Sequence, residues 1–125
     1  MKLEEIRKVL GAEWLGGDTN RADCGSREVV SCHASDLMSD VLTFSGAGSL
    51  LLTGLTNAQV IRVAEIADFA GVCFVRGKKP QAEMVQLAEE KHIPLLVAPL
   101  SMFDSCGRLY AKGLPGGHRG KEIPS

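Results

Sequence analysis

Three short, unbroken apolar runs fix most of what this chain can fold into: Ser-Leu-Leu-Leu-Thr at 49–53, Val-Cys-Phe-Val at 72–75 and Leu-Leu-Val-Ala at 95–98. A strand with one wet face alternates apolar and polar residues, whereas a run without alternation belongs to a strand covered on both faces. Each run is followed by a stretch of helical period. After Thr56-Asn57, a pair suited to capping a helix, Val60, Ile61, Val63, Ala64, Ile66 and Ala67 form one apolar stripe up to Phe69. Pro80 suits the first turn of a second helix running to about Lys91, with Met84, Leu87 and Ala88 inward. A third helix covers 102–112 and stops at Gly113. Strand-helix alternation from 49 to 112 implies right-handed crossovers and a parallel sheet. The expectation is a small three-layer α/β domain with a mostly parallel sheet.

The first half is less regular. Leu3, Ile6, Val9 and Leu10 share one face of a helix over 2–10, stopped by Gly11. A short strand at 12–15, a turn at Gly16-Gly17-Asp18 and a polar loop over 18–27 follow. Residues 29–33 read as a fourth strand of the sheet. Ser35 then caps a helix carrying Leu37, Met38, Val41 and Leu42 to about Phe44, closed by Ser45-Gly46-Ala47-Gly48.

Charge and length bound the function. With 125 residues the chain is one domain by size, here taken as 1–114, and the aperiodic stretch 115–125 reads as a disordered tail. Lys and Arg number 14 against 15 Asp and Glu, a net charge of −1, which excludes an electrostatically driven nucleic-acid binder. No run approaches a membrane span, and the start, MKLEEIRKVLG, lacks the apolar core of a signal peptide. A soluble, cytoplasmic protein is expected. Cys24, Cys32, Cys73 and Cys106 form no Cys-x-x-Cys pair, so neither zinc nor a thioredoxin-type motif is signalled and all four are expected reduced.

In open α/β sheets, ligands collect at the carboxyl ends of the strands. Four loops meet there: Ala34-Ser35-Asp36, Thr53-Gly54-Leu55-Thr56-Asn57, Arg76-Gly77-Lys78-Lys79 and Ala98-Pro99-Leu100-Ser101. The candidate ligand-binding residues are therefore Ser35, Asp36, Thr53, Gly54, Thr56, Asn57, Arg76, Gly77, Lys78 and Ser101. Hydroxyls, helix-start N–H groups and cations together suit an anion or a phosphate-bearing small molecule. The plainer alternative makes the hydroxyls caps and Arg-Gly-Lys-Lys a solvated turn.

Catalytic patterns are absent. There is no phosphate-loop GxxxxGK[ST], no GxSxG and no GxGxxG. His33, His92 and His118 have no nucleophile at a telling spacing. Asp36 and Asp40 stand one helical turn apart, but a cap and an exposed acid account for them. A small enzyme or thiol site built from Cys32, His33 and Asp36 is the remaining catalytic alternative. No cofactor and no metal are expected.

The strand-end loops carry a resemblance. Thr53-Gly54-Leu55-Thr56-Asn57, the stretch 70–80 (AGVCFVRGKKP) and His92-Ile93-Pro94-Leu95-Leu96-Val97 resemble the DRTGG domain, with similar helix lengths between them. That family is similar to the N-terminal domain of HPr kinase/phosphorylase, and occurs in some phosphotransacetylases and beside CBS-domain pairs. The segment 34–42 (ASDLMSDVL), with Ser101-Met102-Phe103 and Gly107-Arg108-Leu109-Tyr110, resembles stand-alone members encoded near iron-only hydrogenase genes. The family's Gly-Asp-Arg falls at Leu55-Thr56-Asn57 and its Thr-Gly-Gly at Arg76-Gly77-Lys78, so only Gly77 is kept. The resemblance covers about 2–114. It implies an HPr-kinase-N-terminal-domain-like fold and a non-catalytic regulatory or accessory module that self-associates as a homo-oligomer, a dimer. It further implies sensing of a small anionic or nucleotide ligand, or docking to a redox-enzyme partner of the hydrogenase type. A pure oligomerisation or scaffold domain is the alternative.

Overall fold

The computed structural model describes residues 1–16, 21–43 and 46–117. Along them run α1 (Leu3–Leu10), β1 (Glu13–Leu15), α2 (Arg21–Gly25), β2 (Ser31–Ala34), α3 (Met38–Val41), β3 (Ser49–Thr53), α4 (Ala58–Ile66), β4 (Gly71–Phe74), α5 (Ala82–Glu90), β5 (Leu95–Val97) and α6 (Met102–Ala111). The strands form one sheet in the order β1-β5-β4-β3-β2, with β2 to β5 parallel and β1 antiparallel to β5. This is the mostly parallel α/β architecture that the apolar runs demand.

Period-two alternation divides the runs between two cores. Leu51, Val72, Phe74, Leu95 and Val97 face Met38 and Val41 of α3, Val60 and Ala64 of α4, and Met84 and Ala88 of α5. Leu50, Leu52, Cys73, Val75, Leu96 and Ala98 face Leu3, Ile6 and Leu10 of α1 and Leu109 of α6. The sheet is thus the middle of three layers. All five residues of β3 are buried, and each of its leucines contributes about 1.5–3 kcal/mol by leaving water. The start of α1 is held by Lys2 N donating to Glu5 Oε1 at 3.0 Å, and the helix stops at Gly11 in the left-handed conformation. Gly46 is required where two backbones meet: its N–H donates to Ala67 O at 2.9 Å, and a Cβ there would lie 2.3 Å from that oxygen.

Several expected elements differ. The stretch taken as a polar loop contains α2, while Gly17, Asp18 and the rest of 17–20 lie outside the described residues. The fourth strand starts at Ser31 rather than 29, because Val29 N turns away to donate to Met1 O at 2.8 Å. α3 has only four residues and its N-cap is Leu37, not Ser35. Ser35 Oγ instead accepts from Leu37 N at 3.0 Å, a local turn that delays the helix. Phe44 and Ser45 lie outside the described residues. Pro80 precedes the α5 cap, Gln81, instead of sitting in the first turn. Past the expected domain end at Leu114, Pro115 O accepts from Cys32 N at 2.9 Å and Gly117 N donates to Cys32 O at 3.1 Å. The final residues, 118–125, with His118 among them, lie outside the described residues.

Candidate functional site

The connections after β2, β3 and β4 all cross to the face holding α3, α4 and α5, whereas the one after β5 leaves for the α1 face. Crevices open where neighbouring connections diverge, here between β4 and β5. That crevice is closed by backbone: Arg76 N donates to Leu100 O and Gly77 N to Ala98 O, both at 2.8 Å. Ser101 consequently takes no part in the rim and caps α6, its Oγ accepting from Asp104 N at 3.1 Å.

The polar groups gather one strand over, above β3. Thr53 is fully buried, and its Oγ1 donates to Asp36 Oδ1 at 2.9 Å. Gly54 N donates to the same oxygen at 2.7 Å, and Leu55 N donates to Thr53 Oγ1 at 3.1 Å. Asp36 thus reaches over from the β2–α3 loop to occupy the donors of the β3–α4 loop. The Gly54 amide thus already has an acceptor, the protein's own carboxylate. Asn57 caps α4, its Oδ1 accepting from Gln59 N at 3.0 Å, and Thr56 is half-buried just before it.

Arg76 approaches from the other side. A Cβ on Gly54 would lie 3.4 Å from Arg76 Nη2 and 3.6 Å from Asp36 Oδ2, so guanidinium and carboxylate flank that glycine. Among the described residues, no ion pair within 4 Å engages Arg76. Its backbone is unusual. Arg76 and Gly77 have φ of 58° and 67°, and Lys78 N donates to Val75 O at 3.2 Å, giving a tight turn with both central residues left-handed. Glycine adopts this freely, whereas arginine does so at a cost of about 1 kcal/mol. Gly77 is needed for its φ and not for space, since a Cβ there meets nothing within 4 Å. Lys78 and Lys79 are exposed beyond the turn. The structure therefore gathers Asp36, Thr53, Gly54 and Arg76, with Asn57 and Thr56 beside them. It leaves Ser35 in its own turn and Ser101 at α6.

The thiol alternative fails on geometry. Cys32 and His33 are consecutive on β2 and point to opposite faces, Cys32 against the α1–α6 core, while Asp36 is engaged at Gly54. Burial pushes the Cys32 thiol well above its ordinary range and raises Cys73 to about 12, so neither supplies a thiolate at neutral pH. Among the described residues, no three His, Cys, Asp or Glu side chains are grouped to hold a metal, and no helix is long and apolar enough to cross a membrane.

A second concavity went unnoticed in the sequence. It is an apolar cleft of about 340 Å³ between α6 and the β2 edge, bordered by Phe103, Cys106, Gly107 and Tyr110. Phe103 and Tyr110 are exposed on α6, with Gly107 between them leaving the hollow.

No family model matches the chain, and no curated protein matches it. Among solved structures, it is similar to the CBS and DRTGG domains of the regulatory region of Clostridium perfringens pyrophosphatase, complexed with the activator diadenosine tetraphosphate. The TM-score is 0.65 at 16% identity, over 98% of this chain and 52% of the other. The chain spans about half the length of that regulatory region, and the likeness is one of fold.

Proposed function

We propose that this domain is a non-catalytic regulatory module that senses a small phosphorylated ligand of the nucleotide class above β3. The observation that carries the reading is Arg76: a non-glycine residue in left-handed backbone whose guanidinium, in no ion pair among the described residues, stands beside Gly54 and Asp36. Strain of this kind concentrates where a side chain must be aimed. The guanidinium offers a fork of donors to phosphate oxygens. Asp36 Oδ1 is used internally, which leaves Oδ2 to accept from a hydroxyl such as that of a ribose. A ligand presenting both groups would tie the β2–α3 loop to the β4–α5 turn. The similar pyrophosphatase region, described with a dinucleotide activator, supports the ligand class. The hydroxyl–carboxylate pair at the site, Thr53 and Asp36, is closed to a substrate because Thr53 is fully buried, which favours sensing over turnover. Docking to a redox-enzyme partner rests on the sequence resemblance alone.

The test is isothermal titration with diadenosine tetraphosphate, ATP, AMP and inorganic phosphate. Binding of at least one nucleotide is expected, weakened about tenfold to a hundredfold in Arg76→Glu/Lys78→Glu through loss of charge-assisted contacts. No heat from any of the four, or equal affinity in the double variant, would leave the scaffold reading in its place.

A further inference from the structure

We propose that Cys32 and Cys106 form a two-sulfur site for one soft divalent cation of the mercuric kind, held between β2 and α6 in the apolar cleft. The two thiols are far apart in sequence, yet both border that cleft and both pack against the α1–α6 core. Each is aimed there by its element. The even-numbered residues of β2, Cys32 and Ala34, face the α1–α6 layer. On α6, Cys106 stands three residues after Phe103 and four before Tyr110, the spacing of one helix face, and all three border the cleft. Both thiols are part-exposed, so an ion can reach them. Burial is what chiefly raises the Cys32 thiol, and a charge on Cys106 raises it further, as two sulfurs within electrostatic reach should do.

The surroundings select the ion. Among the described residues, no carboxylate, imidazole or ammonium group borders the cleft. Zinc completes a tetrahedron of four ligands and hard cations take oxygens, so two sulfurs alone suit neither. Thiolates select soft ions, and a mercuric ion is satisfied by two of them in a line. Charge makes the same choice. Two thiolates and one divalent cation sum to zero, whereas a monovalent soft ion would leave a negative charge in an apolar cleft. On binding, two S–H bonds break, two sulfur–metal bonds form and two protons leave to solvent, with no electron transferred. Cys73 shares the core, but it is fully buried and does not border the cleft. Cys24 lies on α2.

Native mass spectrometry of the whole reduced chain, given one equivalent of mercuric chloride and two of glutathione, tests this. The parent is expected to hold one ion with no glutathione attached, because both sulfurs come from the chain. Cys24→Ser and Cys73→Ala should behave like the parent. In Cys32→Ala and in Cys106→Ala, with unchanged circular dichroism, the ion should instead carry a glutathione as its second sulfur. Stripping it from the parent should take about tenfold more glutathione than from either variant, the advantage of two thiols held on one frame. Zinc offered in place of mercury should not be retained. A parent whose ion carries glutathione, an ion that links two chains, or a Cys32→Ala or Cys106→Ala protein that holds the bare ion would each overturn the proposal. So would loss of the ion in Cys24→Ser, or zinc held as firmly as mercury, since further ligands would then be at work.

Discussion

Asp36 shows how much one exposed carboxylate can organise. It is the acceptor for a buried hydroxyl and a backbone amide, so what replaces it decides the outcome. Asp36→Ala leaves Thr53 Oγ1 and Gly54 N without their acceptor, and a loss of about 2–3 kcal/mol in chemical denaturation is expected. Asp36→Asn keeps an oxygen in place and should cost less than about 1 kcal/mol. Equal losses in the two variants would mean that charge, not acceptance, matters here. The adjacent turn gives predictions of opposite sign. Gly77→Val puts a β-branched residue at positive φ and should lower Tm by about 4–8 °C. Arg76→Asn relieves the left-handed backbone and should raise Tm by about 2 °C, while weakening ligand binding. A more stable but binding-deficient Arg76→Asn protein is what strain held for function predicts.

Among the elements, the edge strand β2 is the one whose partners lie furthest apart in sequence. On its inner side Cys32 is in register with Leu50, and on its outer side the same residue exchanges backbone bonds with Pro115 and Gly117. A chain ending at Gly117 should match the parent in urea denaturation, whereas one ending at Leu114 should lose about 1–2 kcal/mol with those two bonds. Indistinguishable midpoints would show that the segment adds nothing to the edge. This contact also marks what sequence reading reaches. β3, β4 and β5 were legible because burial on both faces forces unbroken Leu, Val and Phe, and Asn57 and Ser101 were legible as caps because helix starts need oxygen acceptors. The pairing of 115–117 was not, since its partner Cys32 is remote in sequence; the late start of α3 turns on one local bond from Leu37 N to Ser35 Oγ, and α2 is too short to show a helical period. The candidate site divides similarly. Its residues could be gathered from loop position, but Asp36 filling the Gly54 amide follows from a side chain crossing between loops. The α6 cleft was hidden because Gly107 in a helix leaves no apolar signature.

At the scale of the whole molecule, protection should follow the layers. β3 and β4 lie between neighbours on both sides and under helices on both faces, so their amides should open only with the whole domain. Hydrogen exchange should be slowest at Leu50–52 and 72–74 and much faster in β1 and α2. Uniform protection of β1 with β3 would contradict this.

The sheet order also implies a sequence in time. β2, β3, β4 and β5 are laid side by side in the order of synthesis, each joining the strand made before it. β1 cannot pair until β5 exists, because Glu13 meets Val97 and Trp14 meets Leu96. The first strand thus waits for the last of the five, a long loop to close, and such closures come late and slow a folding reaction. The chain carries its own clock for this step: Trp14 is its one tryptophan. On refolding, helical signal should therefore appear before the change in indole fluorescence that reports β1 settling against β5, closing the domain from its oldest end.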